Sequence, residues 1–139
     1  MGTDGWRRAR PRVSKLARPW QVWVADLNPT AGGEQRRRRP FVVVSSSLYC
    51  AFPIPMVIVV PLTTVDRGLP HHIPILSASS GLDRPSWART DDIRAISEQR
   101  FISRRPLGVL SPGERDAVRA QLLLMIDISD PAGHQSSVK

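Results

Sequence analysis

The sequence predicts a mainly β protein with helices (α+β), a small twisted antiparallel sheet closed by a C-terminal helix. Three observations predict it. Short β-branched and aromatic runs are separated by Gly, Pro, Asn and Asp turns. A single segment, opening at Ser111, carries both a helix start signal and helical periodicity. No internal repeat is present that would stack into a solenoid.

The first strand is Trp20–Leu27, ended by Asn28-Pro29. A loop, Thr30–Arg39, holds Gly32-Gly33 and four consecutive arginines. The second strand is Pro40–Ser45, with proline at its start, where a missing N–H is tolerated. Met56–Leu62 is apolar on both faces and reads as a central strand. Asp66-Arg67-Gly68 turns the chain into a short strand, Ile73–Leu76, despite Pro74. After the turn Gly81-Leu82-Asp83, Ser86–Thr90 leads into Asp91–Ile96, a strand with a bend or bulge. Ser111, Pro112 and Glu114 form a capping box at N-cap, N1 and N3. The helix runs to about Ile128. Val118, Gln121, Leu122, Met125 and Ile128 recur at helical spacing. Leu123 and Leu124 widen that stripe, so the helix needs burial on more than one side, against a sheet or a second subunit.

Six of the 20 basic residues and one of the 12 acidic residues fall within residues 1–18. We read residues 1–18 as a basic disordered extension, 19–129 as one folded domain and 130–139 as a flexible tail. A basic tail and the basic loop Arg36–Arg39 point to a polyanionic partner, nucleic acid or acidic protein. Cys50 is the sole cysteine, which excludes an intrachain disulfide and suits a reducing, cytoplasmic setting. The longest apolar runs, Met56–Val60 and Leu122–Ile126, are too short to span a bilayer. The basic N-terminus has no apolar segment after it and does not read as a secretory signal.

Four blocks then align in order with one family. Val22–Thr30 with Gly32-Gly33-Glu34-Gln35 and Arg39–Ser45 forms the first; Val57–Thr63 forms the second. Arg89–Ile96 and Leu107–Ser111 complete the set, so that the likeness spans roughly residues 20–128. In these blocks the sequence resembles the MazF/PemK toxins. The resemblance implies an SH3-like twisted antiparallel β-barrel with a C-terminal helix, a fold shared with CcdB-like proteins. It also implies a homodimer and an acidic antitoxin lying across the dimer groove. The implied activity is metal-independent, sequence-specific cleavage of single-stranded RNA, with no cofactor.

RNA supplies its own nucleophile, the 2′-OH, so the protein needs a base, positive charge at the phosphorane and an acid at the leaving oxygen. Arg39 matches the family's arginine before the strand-starting proline. A guanidinium suits a phosphate dianion and is a poor base. Thr63, at the end of an apolar strand, matches the family's threonine and would bond the scissile phosphate; read alone it is a β-branched residue satisfying its backbone. Glu34 would take the 2′-OH proton or orient Arg39. Gln35 would bond a base edge or a loop carbonyl. Arg89 and Asp91, expected on one side of an extended segment, would supply charge and proton transfer, the alternative being a weak ion pair. Arg36, Arg37 and Arg38 would raise RNA affinity electrostatically or form a solvated face. Arg94 matches the family's arginine after Ile93.

Two positions depart from the family pattern. Gly33 replaces a serine or histidine, so histidine-based proton transfer is absent there. Asp92 replaces a glutamine and adds negative charge. His71 and His72 are adjacent, so on a strand they point to opposite faces and do not chelate one ion. Trp23 is a core residue by default, with base stacking the alternative. A non-cleaving gyrase poison of the same fold, or an RNA-binding SH3-like module, would not need the set Glu34, Arg39, Thr63, Arg89 and Asp91.

Overall fold

The structure is a computed structural model and describes residues 15–27 and 38–128. Among the described residues there are seven strands: β1 (Gln21–Asp26), β2 (Arg38–Val43), β3 (Met56–Thr63), β4 (His72–Ile75), β5 (Ser86–Arg89), β6 (Arg94–Ser97) and β7 (Gly108–Val109). A one-turn helix α1 (Ser47–Cys50) precedes β3, and α2 (Pro112–Met125) follows β7. The strands pair antiparallel in the order β4-β5-β3-β2-β1-β7, with β6 also on β3. The result is a curled antiparallel half-barrel with a C-terminal helix.

Alternation along the strands splits the apolar residues between two cores. Trp23, Ala25, Phe41, Val43, Val57 and Val59 fill one. Val22, Val42, Val60 and Leu62 fill the other, with Ala88, Leu110 and Val118 of α2. Both faces of β1, β2 and β3 are therefore covered, which is why Met56–Leu62 reads as continuously apolar. Trp23 is in the core, stacked on Phe101 with ring centroids 4.5 Å apart.

Two prolines interrupt the ladders. Val44 N donates to Ile58 O (2.9 Å), so the even-numbered residues of β2 turn their N–H toward β3. Pro40, two residues before Val42, is the next member of that series and has no N–H to give. The β2–β3 pairing accordingly stops at Phe41↔Pro61. On the opposite edge of β3, pairing to β6 ends at Val59↔Arg94 and pairing to β5 begins at Leu62↔Ala88. Pro61 falls in that gap. The sheet is thus opened around the C-terminal end of β3.

Several expectations change. The second strand begins at Arg38 rather than Pro40, because β1 continues to pair with it through Asp26↔Arg38. The bend before Ile96 is a 3-10 turn, Thr90–Asp92, that carries the chain from β5 to β6. α2 has the full capping box but ends at Met125, where Ile126 turns extended. Pro74 is accommodated because β4 is an edge strand. Residues 15–18, expected from their composition to join the disordered extension, belong to the fold. Ala17 is fully buried, and the N–H groups of Leu16 and Ala17 donate to the buried carboxylate of Glu98 (2.8–3.2 Å). Trp20 holds φ +69°, rare for a bulky residue. Two bonds clamp it there, Trp20 N to Val43 O (2.7 Å) and Leu110 N to Trp20 O (3.0 Å).

Candidate active site

Two of the residues predicted for the site, Thr63 and Arg89, lie near the opened end of β3. Thr63 pairs with Trp87 of β5, and Arg89 pairs with His72 of β4. By strand alternation these four lie on one face. Arg39 lies two residues before Phe41, where the β2–β3 pairing ends, and pairs with Ala25 of β1. Arg39 is exposed. Thr63 is half-buried, and its Oγ1 accepts the Val65 N–H (3.1 Å), so the hydroxyl satisfies local backbone and keeps its own proton to donate.

Arg89 and Asp91 are separated by the 3-10 turn Thr90–Asp92, which removes the alternation expected to set them on one side and leaves them with different ion-pair partners. Arg89 instead faces Asp92, Nη1 to Oδ2 at 3.8 Å, and its buried Nε has no hydrogen-bond partner among the described residues. Arg94 donates to the same Asp92 oxygen at 2.9 Å. The negative charge of Asp92 is therefore offset by two guanidinium groups, and the trio keeps net positive charge. Asp91 turns the other way, to His71 Nε2 at 3.3 Å. Thr90 Oγ1 donates to His71 O (2.6 Å), tying that turn to the segment before β4.

Arg38 and Arg39 diverge because successive strand residues project to opposite sides. Arg38 lines a separate cleft with Asp26, Ser97, Gln99 and Arg100. Glu34, Gln35, Arg36 and Arg37 lie outside the described residues.

Sequence reasoning missed two residues at this site, Trp87 and His71, and one in the separate cleft, Arg100. Trp87, half-buried, flanks Thr63; its place in an alternating run was the available signal. Arg100, whose Nη1 donates to Leu27 O (2.9 Å), sits beside Arg38 with no local signal in sequence. His71 was set aside by the strand-alternation argument, yet it precedes β4 and is not bound by alternation. The buried His72 is held below the ordinary imidazole range. Burial is the main cause; His71, Arg89 and Arg67 add to it and outweigh the attraction of Asp91.

The chain is a small, mainly β protein, a curled antiparallel half-barrel with arginines near the open end of its central strand. A family model described as PemK-like, MazF-like toxin of type II toxin-antitoxin system matches residues 18–126, and the chain belongs to that family. It is 31% identical over 105 residues to the endoribonuclease toxin MazF of Escherichia coli, covering 76% of this chain and 88% of the relative. It is 29% identical over 118 residues to the endoribonuclease MazF9 of Mycobacterium tuberculosis, covering 81% and 98%. Among solved structures, a MazE-MazF crystal structure from Deinococcus radiodurans superposes with a TM-score of 0.68 at 20% identity, over 84% of this chain and 100% of that one.

Proposed function

We propose that this protein is the toxin of a type II toxin-antitoxin pair and an endoribonuclease that cuts single-stranded RNA by attack of the 2′-OH. What supports the reading is the pairing of Thr63 with Trp87 and of Arg89 with His72, which sets Thr63 and Arg89 on one face beside the opened end of β3, with the exposed Arg39 near the start of β2. Arg39 and Arg89 hold the phosphate oxygens and stabilise the phosphorane charge. Thr63 donates its hydroxyl to a phosphate oxygen. Glu34 or Asp91 takes and returns protons, and Gln35 with Arg36, Arg37, Arg38 and Arg94 holds the flanking RNA. The ends are a 2′,3′-cyclic phosphate and a 5′-OH, and these side chains supply every function without a metal ion. The cognate antitoxin is an acidic protein that competes for this cationic face.

No described helix is long and apolar enough to cross a membrane. Family membership and a single, buried cysteine support a cytoplasmic toxin. The active form is a homodimer. Leu123, Leu124 and Ile126 remain exposed on α2 and its cap, beside Ile93, and this is the face a second copy covers.

The test is cleavage of a mixed single-stranded RNA in EDTA by the wild type and by Arg39→Ala, with the new ends mapped. Cutting by the wild type alone, leaving cyclic phosphate and 5′-OH ends, is the expected result. Intact RNA at saturating binding would replace the reading with a non-cleaving one.

A further inference from the structure

His71, His72 and Asp91 converge although the sequence pattern argued against it. The two imidazole rings meet edge to face with centroids 4.8 Å apart. One ligand atom from each of the three residues lies within 4.8 Å of the other two. The Thr90–His71 bond holds the turn carrying Asp91 against the segment carrying His71. His72 is only 7% exposed, and its Nδ1 has no hydrogen-bond partner among the described residues. A buried imidazole nitrogen without a partner is costly. Coordination would satisfy it.

We propose that His71, His72 and Asp91 form a site for a divalent transition-metal ion of the zinc class. Two imidazoles and a carboxylate are the donor set of a three-ligand zinc site, with the fourth position left to water. Nitrogen donors select against magnesium and calcium. Ligand bonds of about 2.0–2.2 Å need the three atoms somewhat closer together. Asp91, in the middle of its turn with a 54% exposed side chain, has room to make that adjustment. Arg89 and Arg67 lie near enough to oppose a cation, so affinity rests on the ligand bonds rather than on the local field.

A consequence rests on the ribonuclease reading. Asp91 bound to a metal ion no longer serves in proton transfer, so the ion acts as a brake on cleavage.

The full chain, stripped with EDTA and dialysed, is titrated with Co²⁺ and followed by its visible absorption, then with Zn²⁺ in competition. We expect one saturable site per chain with four-coordinate Co²⁺ bands, displaced by Zn²⁺. His71→Ala and Asp91→Asn should each weaken binding by at least about tenfold, while unfolding in EDTA at the wild-type temperature. Absence of saturable binding by the wild type, or unchanged binding by His71→Ala, overturns the site; the latter would also be the mark of binding at His134. In the RNA assay, one equivalent of Zn²⁺ should slow the wild type and leave His71→Ala unaffected. Equal slowing of both, or of neither, overturns the brake. The titration contains no RNA, so a protein that cuts nothing would sink the ribonuclease reading while the metal site is still decided.

Discussion

Arg89 and Arg94 converge on one carboxylate oxygen of Asp92, at 3.8 Å and 2.9 Å. The two arginines come from different strands, and the aspartate sits in the turn between them. At the position where the family usually has glutamine, this chain has a charge that holds two cations in place and masks part of their field.

Asp92→Asn should unmask them. Single-stranded RNA should bind more tightly at low salt, and the slope of log affinity against log salt should steepen by about 0.7 for each further phosphate neutralised. Filter binding at several ionic strengths reads this directly. An unchanged slope would mean that neither arginine reaches RNA.

Arg39→Ala should abolish cleavage and leave the homodimer intact, because the side chain is exposed and outside both cores. Light scattering alongside the RNA assay separates the two effects. Loss of the dimer in this variant would give Arg39 a structural role.

Glu114 should dominate part of the acid limb of stability. Its carboxylate accepts from Ser77 Oγ (2.6 Å) and from the N–H groups of Leu76 (2.7 Å), Ser77 (2.8 Å) and Ser111 (3.1 Å). Burial pushes its pKa up, but these bonds together outweigh burial and hold it below 4.5. A depressed folded-state value means that the stabilisation is complete above the unfolded value and fades as pH falls through the folded one. Urea unfolding between neutral and acid pH should show Glu114→Gln less stable than wild type at neutral pH, with the gap closing as pH falls. A constant gap would contradict the linkage.

Gly81→Ala should be among the most damaging small substitutions. Gly81 holds φ +77°, and an added Cβ would run into the Leu107 carbonyl. Backbone strain and the clash together should cost about 2–4 kcal/mol, measurable by denaturant unfolding. A loss below about 0.5 kcal/mol, the range of an ordinary surface substitution, would show that the 79–81 and 107–108 segments separate easily.

Deleting residues 1–18 should destabilise the fold, whereas deleting residues 1–14 should mainly weaken RNA binding at low salt. The longer deletion removes Ala17 from the core and strips Glu98 of three N–H···O contacts, leaving a buried carboxylate uncompensated. Thermal unfolding of the two truncations decides it: equal melting temperatures would return residues 15–18 to the extension.

The sequence by itself determined the strands, the capped helix and the chemistry-bearing residue types. These follow from local rules: period-two apolarity in β1 to β3, and a Ser-Pro-x-Glu start for α2. Trp23 was placed correctly because an early-strand tryptophan in an apolar run has one good destination. Only the tertiary structure decided which charges meet. Pro40 and Pro61 remove N–H groups from the two sides of β3, and the consequence depends on which strands pair there. The 3-10 turn at Thr90–Asp92 then reassigns Arg89 to Asp92 and Asp91 to His71. Alternation is a property of an extended chain, and a single turn in a short segment reverses every side assignment made from it. The anchoring of Ala17 likewise rests on Glu98, 81 positions away in sequence, a distance over which no local pattern carries information.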